Sequence, residues 1–186
     1  MKNQIIKSSQ VLLLSSFQNQ KETFCRYVNR IYFFLMKLNI EYPGFAGWYY
    51  NKVIPNITKT NQKDILLFLV NETIAGVSII KAEDEERKIC TLMVNSNFRK
   101  NGIGMILFNK SFEILGTEKP VLTISENRIT EFSKLFSYYG FEMASVCNNY
   151  YKEGMSEYCF NGNLHGDFYK RESIILDKNK QFVNFI

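Results

Sequence analysis

The six residues Arg99-Lys100-Asn101-Gly102-Ile103-Gly104 constrain this chain more than any other stretch. They lie between an apolar run at 89–95, which reads as a strand, and a helical pattern that begins at Met105. Met105, Leu107, Phe108, Ser111, Phe112 and Leu115 fall on one helical face, and Gly116 supplies a C-terminal stop. A helix start leaves about four backbone N–H groups without intrahelical partners. Together with the helix dipole, these donors make an anion site. Gly102 and Gly104 carry no side chain, so an anion can approach the main chain, and Arg99 and Lys100 add positive charge at the mouth. A diphosphate held mainly by backbone fits this junction. No Gly-Lys-Ser/Thr follows, so it is not a P-loop, and the third glycine of a dinucleotide fingerprint is missing.

The rest of the chain reads as elements of one α/β domain. Its 186 residues, without repeats or a Pro/Gly/Ser linker, match one domain at ~150 residues each. A short strand at 9–16 belongs at a sheet edge. Phe24, Val28, Ile31, Leu35 and Leu38 recur at steps of three or four, predicting a helix over 21–38. Pro43-Gly44 breaks it. A second helix over 45–53 should end before Pro55, because a residue preceding proline avoids the helical region. Residues 64–70 and 73–81 read as strands around an Asn71-Glu72 turn, with 83–88 as a polar hairpin tip before the strand at 89–95. Another strand covers 120–125. Asn127 or Thr130 caps a helix that runs to Tyr139 and stops at Gly140. Strands at 141–148 and 157–160 close the domain.

The hexapeptide and its surroundings resemble the GCN5-related N-acetyltransferase (GNAT) family. Residues 99–104 match the Arg/Gln-x-x-Gly-x-Gly/Ala signature of that family. The strand before it looks like the family's fourth strand, and 121–125 like its fifth. The helix that ends in Gly140-Phe141 is similar to the family's Gly-Phe helix. The match covers roughly 62–162. The resemblance implies a GNAT-like fold, a mixed and mostly antiparallel sheet flanked by about four helices. It implies a single domain over 1–162, with 163–186 as an extension. The segments at 173–176 and 182–186 are apolar enough to pack on the sheet or on a second subunit, as in a homodimer. It also implies direct transfer of an acetyl group from acetyl-CoA to a primary amine of a small molecule or protein. The amides of Lys100, Asn101, Gly102, Ile103, Gly104 and Met105 would hold the pyrophosphate, with Arg99 beside them. Leu92, Met93 and Val94 would pair with the pantetheine arm in the V between the fourth and fifth strands, and Ser125 and Phe136 would flank it.

Two positions depart from the family pattern. Where the family often has a thiolate-protonating tyrosine, this chain has Phe136, which has no proton to give. Tyr139, three residues on, shares roughly that helical face and is a substitute, as is a water. Where a glutamate often stands on the fourth strand, this chain has Thr91, and no carboxylate falls between Ile89 and Ser96. Glu126, just past the fifth strand, is the best-placed base, ahead of Glu83 and Glu85. Trp48 and Tyr49, in a ring-rich stretch after the first helix, either line the acceptor site or pack in the core. A rival from another class is a non-catalytic acyl-CoA-binding or interaction module.

Composition narrows the remaining options. The net charge of +5 permits an anionic ligand but does not argue for nucleic acid. Four cysteines without a CxxC spacing and a single histidine, His165, argue against a metal site. Buried free thiols in a reducing cytoplasm are the expectation for them. No run approaches the ~18 apolar residues of a membrane span, and Val11-Leu12-Leu13-Leu14 is too short for a signal peptide.

Overall fold

The computed structural model of the chain describes residues 8–164. Seven strands form one sheet: β1 (Ser9–Leu13), β2 (Lys63–Val70), β3 (Thr73–Glu83), β4 (Glu86–Val94), β5 (Val121–Ser125), β6 (Met143–Asn148) and β7 (Ser156–Phe160). Their order is β1-β2-β3-β4-β5-β7-β6, with β1 at an edge. Every pairing is antiparallel except β4 with β5. Helices α1 (Lys21–Leu35), α2 (Phe45–Trp48) and α3 (Ile54–Lys59) precede β2, α4 (Ile103–Leu115) joins β4 to β5, and α5 (Ile129–Tyr139) joins β5 to β6. The mixed, mostly antiparallel sheet expected from sequence is therefore present. The extension calls at 173–176 and 182–186 lie outside the described residues.

Two apolar layers sandwich the first half of the sheet. In β2, Ile65, Leu67 and Leu69 pack with α1 residues Phe24, Val28, Ile31 and Leu35, while Leu66, Phe68 and Val70 pack on the α4 side. A strand buried on both faces reads as a continuous apolar run, which is what residues 65–70 are. Helix α4 is seated closely. A Cβ added at Gly76 would stand 2.8 Å from Leu107 Cδ1 and 3.0 Å from Ile103 Cγ2, so β3 needs glycine there. Beside it, the buried hydroxyls of Ser78 and Ser111 hydrogen-bond at 2.9 Å, and Ser111 also donates to the Leu107 carbonyl at 2.7 Å.

Several boundaries differ from the sequence reading for identifiable reasons. The second helix does not stop before Pro55. A π turn (Tyr49–Val53) leads into α3, and Pro55 lies in the first turn of that segment, where a missing N–H is tolerated. Tyr49 is fully buried and donates to the Val28 carbonyl at 2.9 Å, so it belongs to the core, as does half-buried Trp48 packed against it. The polar hairpin tip shrinks to Asp84 and Glu85, because Lys81 pairs with Glu83 at 2.7 Å and with Glu86, extending both strands. Neither Asn127 nor Thr130 caps α5, whose N-cap is Arg128 without a side-chain bond. Cys159 is buried, but Cys25 is exposed, contrary to the expectation of uniformly buried thiols. Among the described residues, no helix is long and apolar enough to cross a membrane.

Candidate active site

The sheet opens between β4 and β5. Only Lys88–Val121 and Ile89–Leu122 are in register, after which the two strands part. The opening begins at a β-bulge: Ile80 pairs with Ile89 and Ile79 with Thr91, which leaves Cys90 as the extra residue. A bulge bends its strand and increases the twist, and here it turns β4 away from β5. From Thr91 to Val94 one edge of β4 stays paired to β3, while the other has no strand beside it. That edge presents backbone donors and acceptors to whatever enters the gap.

A groove of about 270 Å³ occupies the gap on the α4–α5 side, lined by Leu92, Met93, Val94, Arg99, Gly104, Arg128, Glu131, Phe132 and Leu135. The loop at its end winds through two left-handed residues, Lys100 at φ +65° and Gly102 at φ +75°. The first i→i−4 bond of α4 runs from the Ile106 N–H to the Gly102 carbonyl at 3.0 Å. The N–H groups of Ile103, Gly104 and Met105 therefore have no helical partner. A Cβ added at Gly104 would meet only Val94 Cγ2, at 3.9 Å. Internal packing thus does not demand glycine at 104, and the free volume faces the groove. Half-exposed Arg99 stands 3.6 Å from Glu131, so its charge is only loosely held.

Leu92, Met93, Val94, Arg99 and Gly104 come together as the sequence reading expects, with Lys100, Asn101, Gly102, Ile103 and Met105 on the adjoining loop and helix start. The other candidates lie elsewhere. The Phe136 ring is 4% exposed and packs on Phe132, Phe141 and Phe160, at 4.5 Å from the last. The Tyr139 hydroxyl donates to Asn109 Oδ1 at 2.7 Å, and its ring stacks among Phe108, Phe112 and Phe141, so it is not among the groove-lining residues. Glu126 is exposed in the turn before α5 and lines neither groove. Ser125 points to the opposite face, where its hydroxyl donates to Glu41 Oε2 at 3.3 Å.

That opposite face holds a group the sequence reading missed. Leu122, Ile124, Tyr158 and Phe160 face the α4–α5 layer. Strand alternation therefore sends Thr123, Ser125 and Glu157 the other way. Glu157 lies directly across from Ser125, is 3% exposed, and its Oε1 has no hydrogen-bond partner among the described residues. Burial pushes its carboxyl up to about 7, with the Glu41 charge acting in the same direction. Hydrogen bonds from Thr123 and Tyr42 and the charge of Lys88 oppose the shift. Tyr42, after α1, and Tyr151, in the β6–β7 turn, meet edge-to-face at 5.3 Å, and Lys152 ties that turn to the Ile40 carbonyl at 3.1 Å. Burial and the Glu157 charge hold both phenols well above their usual range. A second groove of about 240 Å³, lined by Lys37, Leu38, Ile40, Glu41, Arg99, Arg128 and Glu131, adjoins this face. Arg128 links the two grooves, at 2.8 Å from Glu131 and 3.7 Å from Glu41. A visible signal existed: Thr123 and Ser125 alternate with Leu122 and Ile124, and Glu157 stands next to Tyr158 in an otherwise ring- and sulfur-rich stretch. Only the strand register shows that those positions converge.

No family model matches the sequence, and no curated protein matches it. Among solved structures, the chain is similar to acetyltransferases of the GNAT family. One is the N-acetyltransferase of a ribosomal-protein alanine from Escherichia coli, at 17% identity, covering 55% of this chain and 69% of that one, with a TM-score of 0.48. Another is a GNAT acetyltransferase from Elizabethkingia anophelis with acetyl-CoA bound, at 20% identity, 54% and 75% coverage and a TM-score of 0.46. A third is a GNAT acetyltransferase from Streptococcus pneumoniae, at 20% identity, 55% and 67% coverage and a TM-score of 0.46.

Proposed function

We propose that this chain transfers an acetyl group from acetyl-CoA directly to a primary amine. The observation that carries this is the parted β4–β5 pair with the glycine loop and N-terminus of α4 at one end of the gap. The free edge of Leu92, Met93 and Val94 offers strand-like pairing to the amide groups of a pantetheine arm. The unpartnered amides at the start of α4, with Arg99 and Lys100, suit the pyrophosphate. Phe132 and Leu135 supply an apolar wall for the arm. Because β4 and β5 part beyond Ile89 and Leu122, an acceptor would approach a thioester lying between them from the side opposite the donor groove.

Titration calorimetry with acetyl-CoA tests the donor site. Binding is expected for the native chain, with at least a tenfold loss in Arg99→Glu, which places a negative charge beside the pyrophosphate. No binding by the native chain would end this assignment. Phe136 and the absence of a carboxylate between Ile89 and Ser96 favour one second reading, a non-catalytic acyl-CoA-binding module. That module would bind acetyl-CoA and release no CoA thiol with any amine in a broad panel.

A further inference from the structure

We infer that Glu157 accepts the proton of the acceptor ammonium, and that Tyr42 and Tyr151 wall the subsite in which that ammonium sits. This rests on the acetyl-transfer reading and names the acceptor side of the same site. Three observations place it. Glu157 is a nine-tenths buried carboxylate with one oxygen left unpartnered, on the face of β5 and β7 opposite the donor groove. Buried polar atoms without partners are rare, and a ligand donor is one explanation for a particular one. Tyr42 hydrogen-bonds the carboxylate and Tyr151 feels its charge, the two rings meeting edge-to-face at 5.3 Å from separate loops, and a carboxylate with aromatic rings beside it suits an alkylammonium. Glu41 adds a second carboxylate, bonded to Ser125 and leading into the groove of about 240 Å³. The subsite is therefore acidic and aromatic, which selects an alkyl primary amine in its cationic form.

The chemistry balances with these groups alone. The ammonium gives one proton to the Glu157 carboxylate, and the neutral nitrogen attacks the thioester carbonyl carbon. The C–N bond forms, the C–S bond breaks, and the second proton lost by nitrogen leaves on sulfur as the CoA thiol. The products are the amide, the thiol and a protonated Glu157, which returns its proton to solvent. The groups that face Glu157 are Lys88 on β4, Glu41 and Tyr42 after α1, Cys147 on β6 and Tyr151 in the β6–β7 turn. Among them Lys88 and the Tyr42 hydrogen bond favour the carboxylate, whereas the Glu41 charge favours the acid. Burial places the carboxyl where it can gain and lose a proton near neutrality.

The test compares Glu157→Gln with the native chain, following CoA thiol release with two acceptors. One is n-butylamine, which must lose a proton to react; the other is hydroxylamine, already neutral at pH 7. The native chain should show a kcat/KM for butylamine that falls below an apparent pKa near 7. In Glu157→Gln that rate should drop about 10²–10⁴-fold and lose this acid limb. The hydroxylamine rate should change less than tenfold, and acetyl-CoA affinity should be unchanged. Glu157→Asp should restore part of the butylamine rate. Equal losses for both acceptors, or an unchanged butylamine profile, would overturn the assignment of Glu157 while leaving acetyl transfer standing. A native chain that fails to bind acetyl-CoA overturns the underlying reading instead.

Discussion

In the half of the sheet formed by β1 to β4, both faces are covered by apolar layers; in the half formed by β5, β7 and β6, helix packing covers only one. In the first half, residues of β2 and β3 are buried almost without interruption. In the second, β5 and β7 alternate, and β6 leaves Met143 and Val146 exposed at 59% and 43%. Phe136 and Phe160 seal one side of this half. On the other, Tyr42 and Tyr151 meet edge-to-face beside the polar Thr123, Ser125 and Glu157. The two halves touch through two registered residue pairs and then separate. The symmetric packing predicts that stability is concentrated in the first half, and the proposed base, Glu157, lies in the second.

The sharpest way to break this comparison is to remove side chains from each half. Leu67, fully buried in the first half, should cost about 2–5 kcal/mol when replaced by alanine. Val146→Ala in the second half should cost under about 0.5 kcal/mol. Urea unfolding of both variants measures this, and similar losses would show that the halves do not differ in this way.

Glu157 sharpens the comparison from the opposite direction, because a buried acid should weaken the half that holds it. Its carboxyl rises to about 7 in the folded chain, whereas an unfolded glutamate titrates near the ordinary carboxylate value. The folded chain therefore binds that proton more tightly. This contribution is fully present below the unfolded pKa and is lost as pH rises through about 7. Glu157→Gln should thus be more stable than the native chain at pH 8, by up to about 3 kcal/mol, with the difference vanishing near pH 4. Thermal unfolding across that range measures it. A variant less stable at pH 8 would mean that the carboxylate makes net favourable contacts.

The same contrast explains what was legible in the sequence. The covered half was readable because period and composition suffice there: 65–70 must be buried wherever it pairs, and the 24–35 spacing must face it. The turn at 99–104 into a helix was readable because glycines and a helix start sit together in the chain. Glu157 was not, since its environment comes from residues 34 and 115 positions away, Thr123 and Tyr42, brought close by strand register. Tyr139 misled for a related reason. Its helical face was correctly grouped with Phe136, but α5 turns that face into the aromatic layer, with Phe108, Phe112 and Phe141 around it. Pro55 misled because a π turn changes the local hydrogen-bonding pattern.

Glycines on either side of the seam separate packing from binding at smaller cost. Gly76 is fixed by its neighbours: alanine there would drive Leu107 and Ile103 aside, which should cost about 1–3 kcal/mol in urea unfolding. Gly104 differs, because its added Cβ has ordinary contact distance to Val94 and nothing nearer. It sits in the first turn of α4 and is absent from the residues with positive φ, so alanine can adopt its conformation. Gly104→Ala should therefore stabilise the chain by about 0.4–1 kcal/mol, through a less flexible unfolded state. The same methyl group enters the groove lined by Gly104, where the proposed pyrophosphate would approach the backbone. Acetyl-CoA should bind several-fold more weakly to a protein that melts at a higher temperature. Destabilisation would show that the glycine serves the fold after all, and unchanged affinity would move the pyrophosphate away from this turn.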